Sequence, residues 1–280
     1  MIEGILTPIV VLSVIALLGG MILTIASKYM AVPVDERVAN VRSVLPGTNC
    51  GACGFAGCEA YAEKLVFDGV KSNLCTPGGS SVAQAIAEGM GVAAEEVRIM
   101  SAIIQCSGSC DKTDYSIDYQ GPKTCESCNL LYQGRGQCSY SCIGFGDCER
   151  ACNVDAIYFE NGIPVVNREK CNGCGMCVRA CPKAIIDTFP SYKVFYVACS
   201  SKDKGSITRK VCAVGCIGCK KCEKVCRYGA LVVKDNLARV SSQGCVNCGE
   251  CLGVCPTSAI KTFWTPYQLM SKMHLSKMQK

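Results

Sequence analysis

Histidine is almost missing from this chain: His274 is the single one in 280 residues. Imidazole catalysis and His-rich metal sites are thereby nearly excluded. Tryptophan also occurs once, and aromatics make up 7%. No Gly-rich phosphate loop follows a predicted strand, so a nucleotide-binding sheet has no support. Charge is sparse at 19%, and no charged residue falls between Gly4 and Ser27. The hydrophobic fraction of 49% overstates the apolar side chains, because it counts 26 Cys and one N-terminal run. With 28 Gly in addition, little remains to fill one large core of the barrel or doubly wound type. Small modules stapled by metal clusters are the natural alternative.

The uncharged run from Gly4 to Ser27 is rich in Ile, Leu and Val. About 20 such residues cross a bilayer. A cleaved signal peptide needs a basic leader, and the only charge ahead of the run is Glu3. The run therefore reads as a single transmembrane anchor. Lys28, Arg37 and Arg42 follow it and no basic residue precedes it. The positive-inside rule then puts the remaining chain on the cytoplasmic side of the membrane. That compartment is reducing, which favours metal ligation over disulfides for the 26 Cys.

Beyond the anchor, Ala31-Val32-Pro33-Val34 reads as extended, and Asp35-Glu36-Arg37 opens a short helix. A first Cys group follows at Cys50, Cys53, Cys58 and Cys75. Ser80 to Met90 has helical spacing with Ser as the expected cap. Ile103-Ile104-Gln105 reads as a short strand. From Cys138 to Ile260 the chain repeats itself. Cys171, Cys174, Cys177, Cys181, Pro182 and Cys245, Cys248, Cys251, Cys255, Pro256 follow C-x2-C-x2-C-x3-C-P. Cys216, Cys219, Cys222, Cys226 follow the same spacing with Arg227 in place of Pro. A fourth copy, Cys142, Cys148, Cys152, has Phe145 where Cys219 would align, and Cys138 falls opposite Cys212. Between the motifs, Ala156–Glu160, Asn161-Gly162 and Ile163–Val166 read as a hairpin. Leu231–Lys234, Asp235-Asn236 and Leu237–Val240 repeat it.

Motif, hairpin, motif is the layout of a two-cluster bacterial ferredoxin, here in two tandem copies. A 4Fe–4S cube takes one thiolate at each iron, and in the bacterial run the fourth Cys serves the other cluster. The expected ligand sets are Cys171, Cys174, Cys177 with Cys152; Cys216, Cys219, Cys222 with Cys255; and Cys245, Cys248, Cys251 with Cys226. The altered copy would use Cys142, Cys148 and Cys181, with Cys138 replacing the ligand lost at Phe145 and Cys212 left spare. Cys50, Cys53, Cys58 and Cys75 make a fifth set. Structural zinc is the competing reading, but zinc sites draw two separated CxxC pairs. A sixth cluster on Cys106, Cys110, Cys125 and Cys128 would leave Cys199 and Cys212 unassigned.

The formal net charge is +6. Each cube with its four thiolates adds about −2, so five or six offset the basic excess and nucleic acid is not an expected partner. The densest basic group beside a cluster motif is Lys220, Lys221, Lys224 and Arg227, which reads either as a solvated face or as a docking surface for an acidic redox protein such as soluble ferredoxin.

Leu45-Pro46-Gly47-Thr48-Asn49-Cys50-Gly51-Ala52-Cys53-Gly54-Phe55-Ala56-Gly57-Cys58, behind one membrane helix and ahead of ferredoxin repeats, resembles the B subunit of the Rnf complex. Val197–Gly205 and Cys212–Cys219 strengthen the resemblance, which covers nearly the whole chain. It implies a subunit of an ion-translocating ferredoxin:NAD⁺ oxidoreductase, passing electrons between ferredoxin and flavin- and iron-bearing membrane and peripheral subunits. It also implies that the complex couples this flow to Na⁺ or H⁺ movement. The chain would bear no substrate-converting site of its own. An anchored polyferredoxin serving a hydrogenase or quinone reductase is the alternative.

The fold class that follows is α+β. One transmembrane helix (1–28) and a linker (29–45) lead to a small helical 4Fe–4S domain (46–100). A Cys-bearing insert (101–136) precedes ferredoxin module 1 (137–190). A connector (191–211), ferredoxin module 2 (212–262) and a tail (263–280) complete the chain.

Overall fold

The structure is a computed structural model, and it describes residues 2–29, 35–241 and 243–263. The Ala31–Val34 connector and the tail from 264, with His274, lie outside the described residues.

Helix α1 spans Ile2–Tyr29. Its segment Ile9–Tyr29 has a mean hydropathy of 2.7 and none of it is buried in the protein, so it is long and apolar enough to cross a membrane. Lipid offers no hydrogen bonds, so polar groups in such a helix must satisfy themselves. Two of them do: Ser13 Oγ donates to the Ile9 carbonyl at 2.8 Å, and Thr24 Oγ1 to that of Gly20 at 2.7 Å.

A small helical unit follows, made of α2 (Glu36–Val44), α3 (Cys58–Asp68) and α4 (Gly79–Met90). The Asp35 carboxylate caps α2 by accepting from the Arg37 N–H. The start of α4 differs from the sequence expectation. Gly78 occupies the cap position without a side-chain bond, and Ser80 lies inside the helix. Val38, Val41, Leu45, Tyr61, Leu65 and Ile86 form the unit's core together with Cys58 and Cys75.

The rest of the chain builds two similar modules. The first contains β1 (Met100–Ile104), α5 (Cys125–Tyr132), α6 (Asp147–Arg150), β2 (Ile157–Glu160), β3 (Ile163–Val166), α7 (Met176–Ala180) and β4 (Ile186–Pro190). The second contains β5 (Phe195–Val197), α8 (Gly205–Val211), α9 (Lys221–Val225), β6 (Leu231–Lys234), β7 (Leu237–Val240), α10 (Glu250–Val254) and β8 (Ile260–Thr262). In both central hairpins the two turn residues have positive φ: 49° and 79° at Asn161-Gly162, 50° and 61° at Asp235-Asn236. That is the turn whose twist matches the flanking strands.

A second antiparallel pair closes each module. β1 pairs with β4, from Met100↔Pro190 to Ile104↔Ile186. β5 pairs with β8, from Phe195↔Thr262 to Val197↔Ile260. Each module thus takes its fourth strand from the stretch ahead of it: β1 from residues read as an insert, β5 from residues read as a connector. The two cores interleave aliphatic residues with Cys, as in Ile104, Ile157, Val166, Cys148, Cys177 and Val197, Leu231, Leu237, Cys222, Cys251.

The four short helices of the Cys motifs share one entrance. The residue before each is left-handed: Gly146 (φ 82°), Gly175 (72°), Gly249 (80°) and, in the third, Lys220 (59°). A side chain there costs about 1 kcal/mol. Lys220 therefore stands where its three counterparts are glycine.

Candidate cluster-binding sites

The short motif helices orient the cysteines. A C-x2-C-x2-C run enters through an irregular loop, turns at the left-handed residue and places its third Cys on the helix, facing inward. Cys148, Cys177, Cys222 and Cys251 occupy that position and all are buried.

The expected groups around Cys171 and in the second module assemble. Cys216, Cys219, Cys222 and Cys255 line a space of about 350 Å³. Cys226, Cys245, Cys248 and Cys251 line one of about 390 Å³. Cys171, Cys174 and Cys152 act electrostatically on Cys177. In the helical unit, Cys50, Cys53 and Cys58 act on Cys75. Asn49 holds the turn there, its side-chain oxygen accepting from the Cys58 N–H at 2.9 Å.

The altered motif differs from expectation. Cys138 is not brought beside Phe145; it lines a space with Cys106, Cys199 and Cys212. Cys125 is brought there: burial and then Cys125 and Cys181 raise the Cys148 thiol to about 12, and burial, then Cys106, Cys148 and Cys125 raise that of Cys142. The Phe145 N–H bonds to the Cys125 sulfur, which marks the position that a Cys at 145 would serve. The reason is a tether. The Asp147 carboxylate accepts from the N–H groups of Cys125 and Glu126, each at 3.0 Å, fixing the start of α5 beside α6. Phe145 turns instead into a small apolar cluster with Tyr119, Ile143 and Cys128.

The set Cys106, Cys110, Cys125 and Cys128 is not brought together. Cys125 belongs with Cys142, Cys148 and Cys181. Cys128 is a fully buried core residue. Cys110 is exposed, 3.3 Å from the Tyr115 hydroxyl beside the β2–β3 turn. Cys106 lines a different space with Cys138, Cys199 and Cys212. No sequence motif marks that juxtaposition, because its four members come from separate segments.

What can such groups hold? Burial pushes the Cys177 and Cys251 thiols up to about 12, and neighbouring sulfurs add to the rise. Packed thiolates are unfavourable unless a cationic centre offsets their desolvation and repulsion. Backbone donors already face several sulfurs: the Ala156 N–H reaches Cys152 at 3.2 Å, and the Ala102 N–H reaches Cys171 at 3.4 Å. Among the described residues, no three His, Cys, Asp or Glu side chains converge on one ion. Tetrahedral zinc at about 2.3 Å from each sulfur would hold them within about 4 Å of one another.

The groups fall into two runs. Cys50 acts on Cys174, and Arg179 of α7 approaches within 3.7 Å of where a side chain on Gly51 would lie. Cys177 acts on Cys148, and Cys222 on Cys251.

Comparisons with known proteins agree with this arrangement. Residues 45–77 match the family described as a putative Fe-S cluster. Residues 141–185 and 215–259 match a 4Fe-4S dicluster domain, and 170–230 match a second family of that description. Fold and sites together define an iron–sulfur electron-transfer protein with an N-terminal apolar helix. The chain is 40% identical to the B subunit of the Na(+)-translocating ferredoxin:NAD(+) oxidoreductase complex of Acetobacterium woodii, covering 86% of this chain and 72% of that one. It is 39% identical to the B subunit of the ion-translocating oxidoreductase complex of Methanosarcina acetivorans, over 89% and 96% of the two chains. The B subunit of the proton-translocating ferredoxin:NAD(+) oxidoreductase complex of Clostridium ljungdahlii is 41% identical, over 83% and 82%. The chain belongs to the family of B subunits of the Rnf ion-translocating oxidoreductase complex.

Proposed function

We propose that this chain is the electron-relay subunit of a membrane-bound ion-translocating ferredoxin:NAD⁺ oxidoreductase. It works with the other subunits of that complex and takes its electrons from soluble ferredoxin. The observation that supports this most directly is the succession of four-Cys groups: Cys50 acts on Cys174 and Cys177 on Cys148 in one run, and Cys222 acts on Cys251 in the other. Five groups would each hold a 4Fe–4S cluster: Cys50, Cys53, Cys58, Cys75; Cys152, Cys171, Cys174, Cys177; Cys125, Cys142, Cys148, Cys181; Cys216, Cys219, Cys222, Cys255; and Cys226, Cys245, Cys248, Cys251. Bound clusters supply one-electron exchange near ferredoxin potentials. The chain's own part is to fix the spacing, aim N–H donors at the sulfurs and exclude water from them.

α1 anchors the relay, and the basic residues that follow it favour the cytoplasmic side, where ferredoxin is found. Ferredoxin docks on Lys220, Lys221 and Lys224, which are exposed and form no ion pair among the described residues. Arg227 is the partner of Glu250 at 3.7 Å and contributes less. The patch borders Cys219, an exposed Cys of its group.

The test is ferredoxin-driven NAD⁺ reduction by anaerobic membranes with and without this chain. Membranes lacking it should lose the activity, and adding back the full chain with its partners in the complex should restore it. Unchanged activity without the chain would refute the assignment.

A further inference from the structure

We propose that Cys106, Cys138, Cys199 and Cys212 hold a sixth 4Fe–4S cluster, placed at the junction of the two ferredoxin modules and built from two cysteines of each. The inference rests on the iron–sulfur reading of the modules and adds a site that neither module's motif contains.

The first observation is lining. The four residues border one pocket, as do Cys216, Cys219, Cys222 and Cys255, whose spacing alone marks a cluster. Cys138 and Cys199 are buried, and Cys106 and Cys212 are half-buried. Gly108 leaves room beside Cys212: a side chain there would come within 3.6 Å of its sulfur.

The second observation is internal symmetry. Cys106 stands two residues after the end of β1, and Cys199 two residues after the end of β5. Cys138 precedes Cys142 by the same interval as Cys212 precedes Cys216. The modules therefore contribute matching pairs. Their hydrogen bonds match too. The Cys142 N–H donates to the Cys106 sulfur at 3.4 Å, and the Cys216 N–H donates to the Cys199 sulfur at 3.3 Å. Cys142 and Cys216 are the first cysteines of the motifs on either side. A symmetric pair of N–H···S bonds thus joins this site to both neighbours.

The third observation is that the junction is built to last. The Thr113 hydroxyl donates to the Val211 carbonyl at 2.7 Å, and the Ala213 N–H to the Lys112 carbonyl at 3.0 Å. Ser200 Oγ donates to the Tyr140 carbonyl at 3.2 Å. These bonds tie the loops bearing Cys106, Cys138, Cys199 and Cys212 across the junction. With a cluster here, the six groups form an unbroken series from Cys50 to Cys245. An electron leaving the Cys216 group oxidises it and reduces the junction cluster, which passes the electron on to the cluster on Cys125, Cys142, Cys148 and Cys181.

The experiment counts clusters on the full chain, reconstituted anaerobically. Iron analysis should give about 24 Fe per chain for the parent, four per cube. Cys199→Ala and Cys212→Ala, the second module's pair, should each fall to about 20 Fe. Cys110→Ser and Cys128→Ser should stay at the parent value. Native mass spectrometry of the parent counts clusters without any variant and should find six. Five clusters in the parent, with Cys199→Ala and Cys212→Ala unchanged, would overturn the junction site and leave the ferredoxin modules intact. Zinc in place of iron throughout would overturn the iron–sulfur reading itself.

Discussion

Replacing Cys125 tests the least expected ligand, and a second substitution tells whether the geometry is understood. Cys125→Ser should drain one cube, about four of about 24 Fe. Returning a Cys to position 145 should refill it, because the Phe145 N–H already bonds to the Cys125 sulfur. The restored spacing would then be that of the other three motifs. The double variant Cys125→Ser/Phe145→Cys is not cost-free. Phe145 is half-buried, 5.7 Å ring to ring from Tyr119, with the Arg135 guanidinium 4.4 Å above its face. Full truncation of a buried Phe costs about 3–5 kcal/mol, so a half-buried one loses roughly 2. The cation–π contact adds about 0.5–1 kcal/mol. The double variant should therefore recover its iron yet melt roughly 5–10 °C lower. Iron analysis, EPR of the dithionite-reduced protein and a thermal scan read the three quantities. The decisive control is Cys138→Ser, which also loses one cube but at the junction. Phe145→Cys should not rescue it. Rescue of Cys138→Ser, with no rescue of Cys125→Ser, would refute the assignment of both cysteines.

Reversing Lys220, Lys221 and Lys224 to Glu should slow stopped-flow reduction by ferredoxin about tenfold or more at low salt, with iron unchanged. The rate should also lose its steep fall with added salt. Tyr61 is fully buried, and its hydroxyl donates to the Lys71 carbonyl at 2.7 Å while accepting from the Leu74 N–H. Tyr61→Phe should cost about 1–3 kcal/mol in thermal unfolding and hasten iron loss to a chelator from the Cys75 group. Gly218 has φ 62° and lies so close to Asn236 that a side chain would come within 2.8 Å of its carbonyl oxygen. Gly218→Ala should therefore lower iron occupancy at the Cys216 group, seen as fewer than the parent's clusters by native mass spectrometry, whereas Gly229→Ala, where nothing lies nearby, should keep them all.

Local features of the chain can be read from sequence, and long-range ones cannot. The hairpins at Asn161-Gly162 and Asp235-Asn236 are legible because a two-residue turn needs specific side chains at adjacent positions. The three intact C-x2-C-x2-C runs are legible because one loop must wrap one cube. Cys138 and Cys212, aligned in sequence, line one space at the junction, and it is Cys125 that the structure brings beside Cys142 and Cys148. Cys125 lies outside the motif it completes, held there by the Asp147 carboxylate, and no spacing rule encodes such a tether. The β1–β4 and β5–β8 pairings escape the sequence for the same reason. Their partners are separated by an entire module, so nothing local announces them.

The paired N–H···S bonds from Cys142 to Cys106 and from Cys216 to Cys199 carry a consequence for electrochemistry. With the proposed clusters bound, a ligand of one cube would also donate to the sulfur of the next, so adding charge to either would alter the field at both. Interacting centres do not titrate independently; their observed midpoints belong to the set. A potentiometric titration of this protein would therefore give steps that no single cube owns. Substituting one ligand would move the steps of its neighbours as well as its own.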